Sequence, residues 1–155
     1  MRAEIISVGT ELLLGDILNT NAQYLAQEMA ALGFSVFYQT VVGDNPGRLG
    51  DTVKTALGRS DVLLFTGGLG PTDDDLTKQT VADAFGDELV LDEGELARIE
   101  GYFQGRGLPM TANNAKQAMV PKRGRKLENP HGTAPGVLFE KEGKLAFLMP
   151  GPPRE

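Results

Sequence analysis

The chain has 155 residues, a formal charge of −6 and an isoelectric point of about 4.8, with 41% hydrophobic and 23% charged residues. That length suits one domain with one core, and the absence of cysteine excludes a disulfide framework, a thiolate metal site and a cysteine nucleophile. The acidic balance speaks against a nucleic-acid partner, which needs a basic face, and a start without a signal peptide and a chain without a membrane-length apolar run point to a cytoplasmic protein with no membrane association.

Ala3 to Val8 is apolar and β-branched and ends at Gly9, which predicts a buried strand. A loop is expected from Gly9 to Asn19. Thr20 and Gln23 then match a capping box, and Ala22, Leu25, Ala26, Met29 and Leu32 repeat at helical spacing up to Gly33. Phe34 to Val42 is the second strand. Pro46 suits the first turn of a helix that buries Leu49, Val53, Ala56 and Leu57. Val62 to Phe65 is a third strand, feeding the loop Gly67 to Thr77. The helix after it turns Leu76, Thr80, Ala84 and Phe85 inward and closes at Gly86.

The second half is less regular. Leu89 to Leu91 reads as a short strand, and Asp92 and Glu95 as caps of a helix with Leu96, Ile99 and Phe103 inside. A short polar helix runs from Asn113 to Met119, and Lys122 to Gly136 reads as patternless surface. Val137 to Glu140 and Leu145 to Met149 form a hairpin that gives the sheet one antiparallel strand. Pro150 to Glu155 reads as a loop entering a further helix, so residues 1–155 are expected to be one domain of a longer protein. The alternation of strand and helix predicts an α/β fold with a mostly parallel sheet.

Ligands of such sheets sit beyond the carboxyl ends of the parallel strands. Three loops fall there: Gly9 to Asn21, Gly43 to Asn45, and Gly67 to Thr77. In the third, Gly67, Gly68 and Gly70 let backbone amides approach an anion in front of a helix N-terminus. It lacks the Gly-Lys-Ser/Thr of a Walker loop. Asp73, Asp74 and Asp75 beside an anion site point to a divalent cation with oxygen ligands; helix capping is the other explanation. Asp44 is either a ligand or a turn residue. Lys122, Arg123, Arg125 and Lys126 are a solvated cluster or a phosphate contact, and Asn113, Asn114 and Gln117 are base or ribose contacts or plain surface. His131 has no sequence partner for catalysis.

The chain resembles the N-terminal domain of the CinA (competence/damage-inducible) proteins. The matching pieces are Ser7 to Gly15, Asn19-Thr20-Asn21, Val42-Gly43-Asp44, Gly67 to Thr77, Asn113 to Ala118, Gly132 to Gly136 and Pro150 to Pro153, in family order across nearly the whole chain. The resemblance implies a three-layer αβα sandwich similar to the molybdopterin-binding MogA and MoeA domains, with an antiparallel edge strand. In those relatives a Gly-Gly-Thr-Gly loop binds the pterin phosphate, and an aspartate at the position of Asp75 is needed for adenylylation; here Leu69 stands in place of that threonine. For the CinA branch it implies ADP-ribose pyrophosphatase activity with a divalent metal (Mg, Mn or Co) and potassium, a homo-oligomer (dimer or trimer), and in many members a C-terminal amidohydrolase domain.

On that basis ADP-ribose would be cleaved to AMP and ribose 5-phosphate. Asp44 and Asp75 are the expected catalytic residues, with Asp74 joining them as metal ligands. Gly9, Thr10, Asn21, Gly67, Gly68, Gly70, Thr72, Thr77, Asn114 and Gly151 are the expected nucleotide- and phosphate-binding set. The alternatives are molybdopterin binding or adenylylation, and a non-catalytic nucleotide-binding or oligomerisation module.

Overall fold

The computed structural model describes residues 1–155. In chain order the first half holds β1 (Arg2–Val8), α1 (Thr10–Leu14), α2 (Thr20–Ala31), β2 (Ser35–Val42), α3 (Pro46–Leu57), β3 (Val62–Thr66) and α4 (Thr77–Phe85). The second half holds β4 (Leu89–Leu91), α5 (Glu93–Gln104), a 3-10 helix (Ala112–Ala118), β5 (Met119–Pro121), β6 (Arg125–Leu127), β7 (Gly136–Lys141) and β8 (Lys144–Met149).

The six-stranded sheet has the order β2-β1-β3-β8-β7-β6. Strands β2, β1, β3 and β8 are mutually parallel, and β7 runs antiparallel between β8 and β6. Alternate residues of β1 serve opposite faces. Ile6 and Val8 join Leu63, Phe65, Val137, Phe139 and Leu148 beneath α3 and α4, whereas Ala3 and Ile5 join Val62 and Leu64 beneath Ala22 and Met29 of α2. Helices on both faces make the three-layer sandwich.

Sequence and structure differ where local signals compete. The first loop contains α1, closed by Gly15 in the left-handed region. Helix α2 is capped by Asn19, whose Oδ1 accepts from the Ala22 amide, so Thr20 is its first residue rather than half of a capping box. Helix α4 buries Thr77, Lys78, Val81, Ala82 and Phe85, a face rotated from the expected Leu76, Thr80 and Ala84. The stretch from Lys122 to Gly136 contains β6, and β4 pairs with β5 in a separate two-stranded ribbon. Three-residue strands are too short for a period to show.

The parallel strands end level with one another. Val8 is opposite Val42, Ser7 opposite Thr66, and Thr66 opposite Met149. The chain leaves β1 toward β2 on one side and returns through α3 to β3 on the other, which opens a crevice between the ends of β1 and β3.

Candidate functional site

At that crevice lies a cavity of 460 Å³. Gly9, Asp44, Gly67, Gly68, Gly70, Thr72, Asp74, Asp75 and Gly151, all expected from sequence, line it. Each comes from the loop after one of the four parallel strands.

The third loop is held in place by its own backbone. Gly67 and Gly68 have φ of 95° and 70°, in the region that favours glycine. A Cβ on Gly67 would overlap the Val8 carbonyl, and one on Gly68 would overlap Thr77 Oγ1. The Gly67 amide donates to the Met149 carbonyl at 3.0 Å and the Gly9 amide to the Val42 carbonyl at 2.9 Å. Both are therefore spent on the sheet, which corrects the expectation that the Gly67 amide faces an anion. The amides of Gly68, Leu69 and Gly70 have no protein acceptor. Their hydrogens are free to serve as donors in a backbone cradle. Leu69 itself is 4% exposed and its side chain packs in the main core, so the cavity meets its backbone.

The aspartates do not cap α4, whose N-terminus has no side-chain cap. Asp75 instead closes the loop in front of it: one oxygen, Oδ2, accepts from the Thr72 amide at 2.9 Å and the Thr72 hydroxyl at 2.6 Å. Across the cavity, Asp44 Oδ2 accepts from the Thr10 amide and hydroxyl at 3.0 and 3.1 Å. Each carboxylate is anchored through one oxygen and keeps Oδ1 free of protein partners. Asp73 and Asp74 are exposed. No three acidic or histidine side chains converge closely enough to form a metal cage by themselves. The hard oxygen donors Asp44 and Asp75 fit an ion of the Mg²⁺ type, which keeps waters and takes substrate phosphate oxygens as ligands.

Four expected binding residues stand behind the lining. Thr10 anchors Asp44. Asn21 donates to the Gly151 carbonyl at 2.7 Å and so fixes the loop after β8. Thr77 is fully buried behind Gly68, with a hydroxyl that has no partner. Asn114 caps the 3-10 helix by accepting from the Thr111 amide and hydroxyl. Its neighbour Gln117 reaches the cavity, while Asn113 is exposed. Glu11, Thr133, Ala134 and Glu155 also line the cavity and were not anticipated. Glu11, Thr133 and Ala134 sit on segments matching the family motifs, which is the available signal, and Glu155 lies two residues beyond the last of them.

The 3-10 helix is tied down from below. Lys78, on the buried face of α4, donates to the carbonyls of Gln117 and Met119 at 3.2 and 2.7 Å. Burial, and then the nearby charge of Lys116, push its ammonium pKa down to about 8. Another clamp fixes Thr133: the guanidinium of Arg98 donates to the buried Glu95 and to the carbonyls of Gly132 and Thr133 at 3.0 Å each. Lys126 completes it at 3.1 Å from Glu95, and Lys122 and Arg123 pair with Glu88 and Asp87. Most of the basic cluster thus works in structural ion pairs and not at the cavity. His131 is exposed beside Tyr102, Arg106 and Arg154, in a separate shallow hollow.

A family model described as a probable molybdopterin binding domain matches residues 4–155. A protein of Caldicellulosiruptor bescii described as competence-damage inducible is 60% identical, and a CinA-like protein of Dictyoglomus turgidum is 55% identical, each over the whole of this chain. The chain spans 38% of the length of these curated relatives. Among solved structures, the protein CinA of unknown function from Thermoplasma acidophilum matches with a TM-score of 0.89 and 37% identity, over 99% of this chain and 90% of that one. The molybdopterin biosynthesis enzyme MoaB of Thermus thermophilus matches with a TM-score of 0.64 and 19% identity, over 99% and 82%, which is a likeness of fold.

Proposed function

We propose a function from the premise that this chain belongs to the probable molybdopterin binding domain family, in its CinA-like branch: it hydrolyses the diphosphate of a nucleoside diphosphate sugar, ADP-ribose being the substrate to test first. One observation carries this reading. Gly68, Leu69 and Gly70, whose amides have no protein acceptor, line the same cavity as two carboxylates, Asp44 and Asp75, that are each anchored through a single oxygen.

A phosphate oxygen accepts from the cradle amides, which need no reorganisation as charge develops on it. Thr10 and Thr72 hold the two carboxylates through Oδ2, which leaves Oδ1 of each free for the ligand or its attacking water. A divalent ion held by Asp44 and Asp75, with Asp74 at the rim, would supply Lewis-acid polarisation of the diphosphate. Gln117, Thr133 and Gly151 close the walls around the ester groups. Addition of one water across the P–O–P bridge of ADP-ribose gives AMP and ribose 5-phosphate.

The test is AMP release from ADP-ribose with Mg²⁺, Mn²⁺ or Co²⁺ plus K⁺. The Asp75→Asn variant is expected to lose at least about a hundredfold in rate with an unchanged melting temperature. Equal rates would reject the assignment.

Pterin binding is the second reading, and one observation favours it. The Leu69 side chain lies in the core, so its replacement of a threonine leaves the backbone cradle intact. Titration with molybdopterin, in parallel with ADP-ribose, separates the two.

A further inference from the structure

Five carboxylates line the cavity, from Glu11, Asp44, Asp74, Asp75 and Glu155, and no lysine, arginine or histidine does. A diphosphate ester entering it meets like charge on several sides, and three neutral amides with one divalent ion on Asp44 and Asp75 offset only part of that. A side-chain cation close behind the wall would offset the remainder.

Three cations touch residues of the wall. Arg98 is committed to the Glu95 carboxylate and two carbonyls. Lys78 is buried and committed to two carbonyls. Lys116 differs from both: its ammonium donates to one neutral acceptor, the Thr72 carbonyl, at 2.5 Å, and is half-buried at the surface. Thr72 is the residue whose amide and hydroxyl hold Asp75. The base of Lys116 is rigid, because Lys78 pins the carbonyls of Gln117 and Met119 on either side of Ala118. Its charge also presses on that of Lys78, an interaction relieved when an anion takes up the Lys116 ammonium.

We infer that Lys116 is the ligand-pairing cation of this cavity, its ammonium leaving the Thr72 carbonyl to bond a phosphate oxygen of the bound diphosphate ester. The inference rests on the diphosphate reading of the site. Arg154 is no substitute, since it opens onto the neighbouring cavity around Tyr24 and Met149.

The experiment is calorimetric titration of the chain and of its Lys116→Met and Lys116→Arg variants with inorganic pyrophosphate at fixed Mg²⁺, at low and high KCl. Lys116→Met is expected to bind about tenfold or more weakly at low salt, and to lose less of its affinity as salt rises. Lys116→Arg keeps affinity within about threefold, and all three melt alike. Equal affinity of Lys116→Met and the parent, equal losses in both variants, or no binding by the parent would overturn the inference. AMP release from ADP-ribose is followed alongside. Lys116-dependent pyrophosphate binding without release rejects the hydrolytic function alone, whereas release with affinity indifferent to Lys116 rejects this inference alone.

Discussion

Gly68 combines a φ of 70° with a Cβ position already filled by Thr77 Oγ1. Gly68→Ala should therefore cost at least about 2 kcal/mol of stability and remove pyrophosphate binding, read by urea unfolding and calorimetry. The glycines of this loop are legible in the sequence because their clustering before a helix has few other causes. What sequence does not show is which amides are spent: Gly67 looks like its neighbours until Met149 arrives from 82 positions away in the chain to take its hydrogen. Lys78 was equally silent, reading as one polar residue among several. Its folded pKa of about 8 lies below the free value of 10.5. The unfolded chain thus binds the extra proton between those pH values, and stability rises with pH there. Relative to Lys78→Met, the parent should gain up to about 3 kcal/mol from pH 8 to 10.5, measured as the difference between two urea-unfolding series.

At the scale of elements, period and punctuation served well for β1, β3, α3 and α5, whose caps Asn45 and Asp92 accept amide hydrogens as their residue types suggest. They failed at the start of α2, where Thr20-x-x-Gln23 competes with Asn19. Asn19 prevails because it does two things, accepting from the Ala22 amide and donating to Ser7 Oγ at 2.9 Å. Asn19→Ala should lower stability by about 1–2 kcal/mol, while Thr20→Ala, at an exposed position, changes it by less than about 0.5 kcal/mol; thermal melts of the pair check this. Helix α1 and strand β6 went unseen because five and three residues offer no period.

Across the whole molecule, the αβα order was legible because each βαβ unit declares itself locally and the handedness of its connection leaves few alternatives. The long-range polar ties were not. Glu4 lies within the run that predicts a buried strand and is fully buried there, but its partners do not show in the sequence: its carboxylate accepts from the Arg59 guanidinium at 2.6 Å and the Ser60 hydroxyl at 3.0 Å. Glu4→Ala leaves the partly exposed Arg59 guanidinium without its carboxylate and the buried Ser60 hydroxyl without its acceptor, and is expected to lower the urea midpoint with an unchanged slope.

The hydrogen bonds from Gly67 to Met149 and from Asn21 to Gly151 join segments far apart in the chain. During synthesis, the cradle after β3 leaves the ribosome long before the strand that completes its far wall. A ligand therefore recognises only molecules in which β8 has docked, and it stabilises them by mass action. Its presence should slow amide hydrogen exchange in β8 as much as in the glycine loop it touches, even though β8 itself meets the cavity only through the loop that follows it.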